Sequence, residues 1–139
     1  MKKIIFPLLA LVLLATGCRK DPDIINYYTG SEVRTAYYTV HDNQWMSNGD
    51  FYFVDCENPD ITRAVLENGA VVACVWNADN WYDLPYVYPM ETSAGVVVPE
   101  NVRFQYREGM VTIVMQDMDG YLPDEVYGDM TFKVSVIRP

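Results

Sequence analysis

Apolar and polar residues alternate with a period of two through much of the chain. Phe132, Val134 and Val136 alternate with polar neighbours, and residues 33–40 and 102–107 follow a similar pattern. In a strand, this period places alternate side chains on opposite faces, so each segment predicts one buried and one exposed face. About seven or eight such segments separated by turns predict an all-β domain, an antiparallel β-sandwich of Ig-like or jelly-roll-like type.

One segment departs from the strand pattern. Asn58-Pro59 precedes residues with helical spacing, and Asn68-Gly69 follows them. Asn is a frequent N-cap, Pro is favoured in the first helical turn, and Gly commonly follows a helix. The sequence therefore predicts one short helix near residues 59–67. The residues expected on its buried face are Ile61, Val65 and Leu66.

The first 18 residues predict export. A basic start, Met1-Lys2-Lys3, is followed by the apolar residues 4–14 and a small-residue cleavage site, the three parts of a secretory signal. The apolar run has 11 residues, whereas a helix that spans a bilayer needs about 20. Ala15-Thr16-Gly17-Cys18 resembles the lipobox of bacterial lipoproteins, although Ala15 stands where Leu, Val or Ile is usual. The resemblance implies that Cys18 is lipidated and the preceding residues are removed.

Three parts follow from this prediction: a signal peptide at 1–17, a lipidated flexible tether at 18–31, and a single β-sandwich domain at 32–139. Residues 19–23 have the sequence Arg-Lys-Asp-Pro-Asp, which resembles the surface-export signal of Bacteroidetes lipoproteins. The alternative is a solvated tether. The predicted location is the cell envelope, with a lipid anchor in the outer membrane. Whether the domain faces the periplasm or the cell surface is left open.

The charge balance limits the partners. The chain has 10 Lys and Arg against 19 Asp and Glu. Removal of residues 1–17 takes away Lys2 and Lys3, which leaves 8 against 19, a net charge of −11. Binding to nucleic acid requires Lys and Arg to neutralise phosphates, so nucleic acid is not expected as a partner. The predicted partners are the lipid bilayer, through acylated Cys18, and a glycan or an envelope protein. No cofactor is predicted.

The two remaining cysteines have two interpretations. With Cys18 used by lipid, Cys56 and Cys74 form an even pair in an exported protein, and such pairs are often bridged. Both lie at or near the ends of apolar runs, which is compatible with a disulfide. The alternative is two buried thiols that pack as small hydrophobic residues.

No catalytic residue is predicted. His41 is the only histidine, so a zinc site built on two or more histidines is excluded. No nucleophile elbow or catalytic cysteine motif accompanies it. An enzyme is therefore not expected.

Asp117-Met118-Asp119-Gly120 resembles the start of a calcium loop. An EF-hand needs Gly at the sixth position and Glu at the twelfth, where this chain has Leu122 and Gly128. A looser, weak calcium site at Asp117 and Asp119 is one interpretation. The other is a turn with Gly120 at positive φ.

Aromatic residues are the remaining candidates for ligand contact. Trp45 follows a polar loop, and Trp81 and Tyr82 follow the turn at 77–80, so their rings are candidates for stacking on a ligand. The alternative is that they belong to the core. Residues 70–76 predict a strand buried on both faces, and Trp76 and Trp81 are expected to pair across strands.

Most of the predicted domain resembles a family of uncharacterised lipoproteins of the Bacteroidetes with one small β domain. The matching stretches are residues 59–62, 65–71, 80–86, 116–120 and 131–137. The resemblance implies a β domain on a lipid anchor and assigns no catalytic residue.

The predicted function is a non-catalytic binding module for a glycan or a protein. The alternative is a structural or assembly accessory lipoprotein of the envelope. An exposed aromatic surface would favour a glycan, and a flat apolar patch or an open sheet edge would favour a protein partner.

Overall fold

The computed structural model describes residues 32–126 and 128–139. The predicted signal peptide at 1–17, the tether at 18–31 and the lipidation site Cys18 lie outside the described residues. Within them, the strands form two antiparallel sheets, one of four strands and one of five. This confirms the predicted all-β sandwich.

The four-stranded sheet consists of β1 (Val33–Val40), β9 (Met130–Ile137), β4 (Ala70–Asn77) and β5 (Asn80–Asp83). The five-stranded sheet consists of β2 (Met46–Ser47), β3 (Tyr52–Glu57), β8 (Met110–Asp117), β7 (Val97–Arg107) and β6 (Tyr86–Glu91). A 3-10 turn, Asp42–Gln44, connects β1 to β2. The two sheets thus combine strands from distant parts of the sequence.

The core lies between the two sheets. Phe132, Val134 and Val136 of β9 are fully buried, as their alternation predicts. From the five-stranded sheet, Val102 and Ile113 are also fully buried. Burying one such side chain contributes about 1.5–3 kcal/mol relative to leaving it exposed, so these inward faces supply much of the stability.

The helix α1 (Arg63–Asn68) is shorter than predicted and begins later. Its N-cap is Thr62, whose hydroxyl accepts a hydrogen bond from the backbone N–H of Val65. Asn58 does not cap it, because its side-chain oxygen accepts from the backbone N–H of Asp60 in a separate turn. An Asn side chain bonded two residues onward favours a turn over a helix.

The buried face of this region is partly as predicted. Ile61 and Val65 are each 1% exposed, whereas Leu66 is 37% exposed. With α1 beginning at Arg63, Ile61 precedes the helix and does not share its helical face. The prediction that Leu66 is buried is therefore wrong.

Candidate ligand-binding groove

An open groove lies on the outer face of the five-stranded sheet. Phe53 and Asp55 of β3 are two residues apart, so their side chains leave the same face of the strand. The register places Thr112 of β8 opposite Asp55, and Gln105 of β7 opposite Thr112. Three strands that are separate in the sequence thus bring these side chains to one surface.

The groove has a volume of about 380 Å³ and combines an aromatic wall with a polar floor. Phe51 and Phe53 form the wall, with their ring centroids 6.2 Å apart and their planes edge to face. The polar lining comes from Asn48, Asp55, Gln105, Arg107 and Thr112. Apolar surface with a few placed polar groups is the usual composition of a small-ligand site.

The turn that carries Phe51 is held in place by hydrogen bonds. Asn48 Oδ1 accepts from the backbone N–H groups of Asp50 and Phe51, at 3.0 and 3.1 Å. Gln116 Nε2 donates to the Asp50 carbonyl oxygen at 3.2 Å, which ties the turn to β8. The Arg103 guanidinium lies 5.7 Å from the Phe51 ring centroid, a distance typical of a cation–π contact. These contacts preorganise the aromatic wall.

An ion pair lies on the polar floor. Thr112 Oγ1 donates to Asp55 Oδ1, and Arg107 Nη2 lies 3.8 Å from Asp55 Oδ2. The Arg107 side chain is 69% exposed, so most of its guanidinium is open to solvent and to a ligand in the groove.

Sequence reasoning did not identify these groove residues as a site. The sequence offered one indication. Phe51, Phe53 and Asp55 are spaced by two residues, so on a strand their side chains would share one face. Val54 and Cys56 on the opposite face are buried. An apolar pair on the charged face of a strand indicates a surface contact, but its neighbours become known only with the strand pairing.

Trp45 is not a ligand contact. It is only 9% exposed and packs edge to face against Phe132, with the centroids 6.4 Å apart. The preceding loop is polar, but it forms the 3-10 turn Asp42–Gln44, and Trp45 follows directly after this turn. Its indole lies in the core between the sheets. The prediction for Trp45 is corrected to a core residue.

Trp76 and Trp81 pair across β4 and β5 as predicted, with ring centroids 5.1 Å apart. β4, however, is not buried on both faces as predicted. Val75 points inward, whereas Trp76 is 40% exposed on the outer face. Tyr37 lies 5.8 Å from Trp81, and Lys133 Nζ lies 4.7 Å from the Trp81 ring centroid. Tyr37, Trp76, Trp81 and Lys133 form the outer aromatic cluster.

Tyr82 lies on the face opposite to Trp81, because adjacent residues of β5 point to opposite sides. Its ring stacks on that of Tyr86, with the centroids 4.5 Å apart and the planes inclined by 21°. Both tyrosines are half-buried against the core. The three predicted contact aromatics therefore do not converge on one site.

Cys56 and Cys74 are two free thiols, not a disulfide. Cys56 points into the core from β3, whereas Cys74 lies on the outer face of β4 and donates to Asp83 Oδ1 at 3.1 Å. They belong to different sheets, and alternation turns one inward and the other outward. Burial raises the pKa of each thiol to about 11, so both are protonated at neutral pH.

The Asp117–Gly120 segment is a turn, and Gly120 has a φ of +83°. Asp117 Oδ1 accepts from the backbone N–H groups of Asp119 and Tyr121, at 3.0 and 2.7 Å. One oxygen of the predicted calcium ligand is thus used by the turn itself. Across residues 32–126 and 128–139, no group of three or more His, Cys, Asp and Glu side chains is placed to hold a metal ion. The geometry shows the turn with Gly120 at positive φ, and the weak calcium site at Asp117 and Asp119 stays a prediction.

His41 lies at the end of β1, where its side chain is 54% exposed. Its Nδ1 is 2.9 Å from Asp129 Oδ1, and its backbone N–H donates to Gln44 Oε1 at 2.7 Å. The contact with Gln44 caps the 3-10 turn, and the imidazole lies at the surface, outside the groove lining.

A second, smaller cavity of about 100 Å³ contains a buried carboxyl group. Glu100 is only 3% exposed, and its Oε2 has no hydrogen-bond partner among the described residues. Burial, followed by the nearby Asp117 and Asp124 carboxylates, raises the pKa of Glu100 to about 7. The stability of the fold should therefore depend on the protonation of this group.

The protein is an antiparallel β-sandwich whose five-stranded sheet carries an open groove with a mixed aromatic and polar lining. No family model, curated protein or solved structure matches the chain. The resemblance to Bacteroidetes lipoproteins therefore stays a prediction. In the part of the chain that the structure describes, no helix has the length and apolar character needed to cross a membrane.

Proposed function

We propose that this protein is a lipid-anchored component of the bacterial cell envelope and that its β-sandwich binds a glycan without catalysis. The groove of the five-stranded sheet carries the proposal, because it places the rings of Phe51 and Phe53 beside Asp55, Gln105 and Arg107. A sugar ring has an apolar face of C–H groups and an edge of hydroxyl groups. An aromatic wall suits the face, and side chains that donate and accept hydrogen bonds suit the edge.

The volume of the groove agrees with this proposal. Ligand sites commonly have volumes of about 300–1,000 Å³, and the groove has about 380 Å³. Its walls are held by the contacts of Asn48, Gln116 and Arg103, so little ordering would accompany binding. Preorganisation of this kind favours affinity because less conformational freedom is lost.

The outer aromatic cluster suits a sugar less well. Lys133 Nζ lies 4.7 Å from the Trp81 ring centroid and occupies the surface on which a sugar would stack, whereas the Arg103 guanidinium lies farther from the Phe51 ring, at 5.7 Å. For this reason we assign the glycan to the groove.

Replacement of Phe51 by Ala is expected to weaken glycan binding at least about tenfold, because the sugar loses its stacking surface, a change of about 1.4 kcal/mol. A glycan array identifies the ligand, and titration calorimetry on the full chain measures the affinity of the Phe51→Ala variant. Tyr121→Ala is the control, since Tyr121 is 71% exposed and lies outside the groove lining. The proposal fails if no glycan binds, or if both variants bind as the unaltered protein does.

The lipid anchor is supported by the signal pattern ending in Gly17-Cys18. Cys18→Ala is expected to move the protein from the membrane fraction to the soluble fraction, because each buried methylene contributes about 0.8 kcal/mol to membrane binding. Fractionation and metabolic lipid labelling in the expressing bacterium measure this. Cys74→Ala is the control and should stay lipidated. A Cys18→Ala protein that still carries lipid would contradict the anchor.

An assembly role is the second candidate. Four large apolar side chains, Val33, Tyr37, Val72 and Trp76, are 40–64% exposed on the outer face of the four-stranded sheet. An exposed apolar surface favours a protein partner. This role differs from glycan binding because substitutions in the groove would leave it intact.

A further inference from the structure

The charged groups of the groove differ in their partners: the Asp55 carboxylate is engaged within the protein, whereas the Arg107 guanidinium makes no hydrogen bond to it at 3.8 Å. Asn48 Oδ1 already accepts from two backbone N–H groups. Asp55 Oδ1 accepts from Thr112, and Asp55 Oδ2 faces Arg107. The strongest acceptors on the floor are therefore engaged within the protein.

The donors are less engaged. Arg107 has five N–H donors, and its ion pair with Asp55 is 3.8 Å long, beyond the usual hydrogen-bond range of about 2.7–3.2 Å. The side-chain amide nitrogens of Asn48 and Gln105 make no hydrogen bond to another residue of the described ranges. A ligand entering the groove thus meets the N–H groups of Arg107 together with the side-chain amide of Gln105, which can both donate and accept.

Arg107 also differs from the other arginines of the domain. Arg63 Nε lies 2.7 Å from Glu67 Oε1, and Arg34 and Arg138 each contact a carboxylate closely. Arg103 donates to Gln116 at 2.8 Å. Arg107 is thus held most loosely among the described arginines, although the whole chain has a net charge of −9. A cation that is left open in an acidic protein, next to an aromatic wall, points to an anionic ligand.

We infer that the groove binds an acidic glycan and that Arg107 holds the carboxylate of a uronic acid residue. This inference rests on the proposed function and specifies its substrate class. The guanidinium matches a carboxylate with two parallel N–H···O bonds, while Phe51 and Phe53 cover the apolar face of the sugar. Asp55 lies 3.8 Å from Arg107, too far to hold the guanidinium by a hydrogen bond, and competes with the ligand carboxylate for it.

The test uses the full chain and three uronic acid oligosaccharides, from polygalacturonate, alginate and hyaluronan. Each is paired with its carboxyl-reduced form, which keeps the sugar chain and removes the uronic acid charge. We expect at least one acidic oligosaccharide to bind at least tenfold more tightly than its reduced form in calorimetric titrations. Arg107→Gln should abolish that difference. Arg63→Gln, which removes the same charge outside the groove, should preserve it.

A second variant tests the arrangement of the ion pair. Asp55→Asn keeps an oxygen that accepts from Thr112 and removes the carboxylate that competes for Arg107. It is expected to tighten binding of the acidic oligosaccharide by about threefold, which corresponds to about 0.6 kcal/mol at room temperature. If Asp55→Asn instead weakens binding of the acid, Arg107 does not hold the carboxylate and the inference is overturned.

The remaining outcomes separate the two proposals. If reduced and acidic oligosaccharides bind equally, or if Arg107→Gln leaves the preference unchanged, the inference is wrong and glycan binding stands. If the array and all six oligosaccharides show no binding, both the inference and the proposed function are wrong. Circular dichroism on each variant confirms that the comparison is made between folded proteins.

Discussion

Glu100→Gln is expected to stabilise the fold at pH 8 by at most about 3 kcal/mol and to have almost no such effect at pH 4. Glu100 is 3% exposed, and burial beside Asp117 and Asp124 raises its pKa from 4.5 to about 7. The ionised form is thus disfavoured in the folded protein, because a buried carboxylate is separated from water and close to like charge. Glutamine removes that charge and keeps the size of the side chain.

The direction of the pH dependence follows from proton binding. Between about pH 4.5 and pH 7, the folded state holds the Glu100 proton and the unfolded state releases it. The free energy of unfolding therefore falls as the pH rises through this window, and the whole contribution is lost above it. Below pH 4.5 the group is protonated in both states and makes no difference.

Urea unfolding at pH 4, 5, 6, 7 and 8 measures this effect. The difference between Glu100→Gln and the unaltered protein should grow from pH 4.5 to pH 7 and then stay constant. Asp119→Asn serves as the control, because Asp119 is an exposed carboxylate two residues from Asp117 and does not line the cavity. If the free energies of unfolding of Glu100→Gln and the unaltered protein differ by the same amount at every pH, Glu100 is not a buried carboxylate with a raised pKa.

Gly69→Ala is expected to lower the free energy of unfolding by about 3 kcal/mol, at the upper end of the range for overpacking. A Cβ on Gly69 would overlap the carbonyl oxygen of Ile137 and would lie 3.0 Å from Val65 Cα. Both are backbone atoms, so neither can rotate away as a side chain would. Relief would require α1 or β9 to move.

Gly120→Ala is the matched control for this substitution. Gly120 has a φ of +83°, and beyond its chain neighbours none of the described atoms lies within 4 Å of the place that a Cβ would take. Alanine there meets backbone strain of about 1–2 kcal/mol without a clash. Urea unfolding of both variants gives the comparison. Equal losses, or a smaller loss for Gly69→Ala, would show that the approach of β9 to Gly69 does not restrict the side chain.

The position of Gly69 after a helix follows from the local sequence, but the reason for a glycine there does not. The sequence places it correctly just after a helix, but its φ is −104°, so positive φ is not the reason for glycine. The reason is the close passage of Ile137, which is 68 residues away in the sequence. Contact over such a distance depends on the position of β9 in the sheet.

The candidate site was harder to predict than the fold. The three aromatic residues predicted to contact a ligand lie in three different places. Trp45 is in the core, Trp81 is on an outer face, and Tyr82 stacks on Tyr86. The groove instead uses Phe53, which resembles any strand residue until β8 and β7 are placed beside it. Its polar neighbours come from strands whose order the alternation does not encode.

The sequence by itself indicated several of the strands, among them β1, β4 and β9, and showed which side chains of β9 face inward, because alternation is a property of each strand alone. The tertiary structure decided that Cys56 and Cys74 lie on different sides, that Glu100 is buried and that Phe53, Asp55 and Thr112 share a groove. Those outcomes depend on which strands pair and in which register, and pairing is determined by the packing of the whole sandwich.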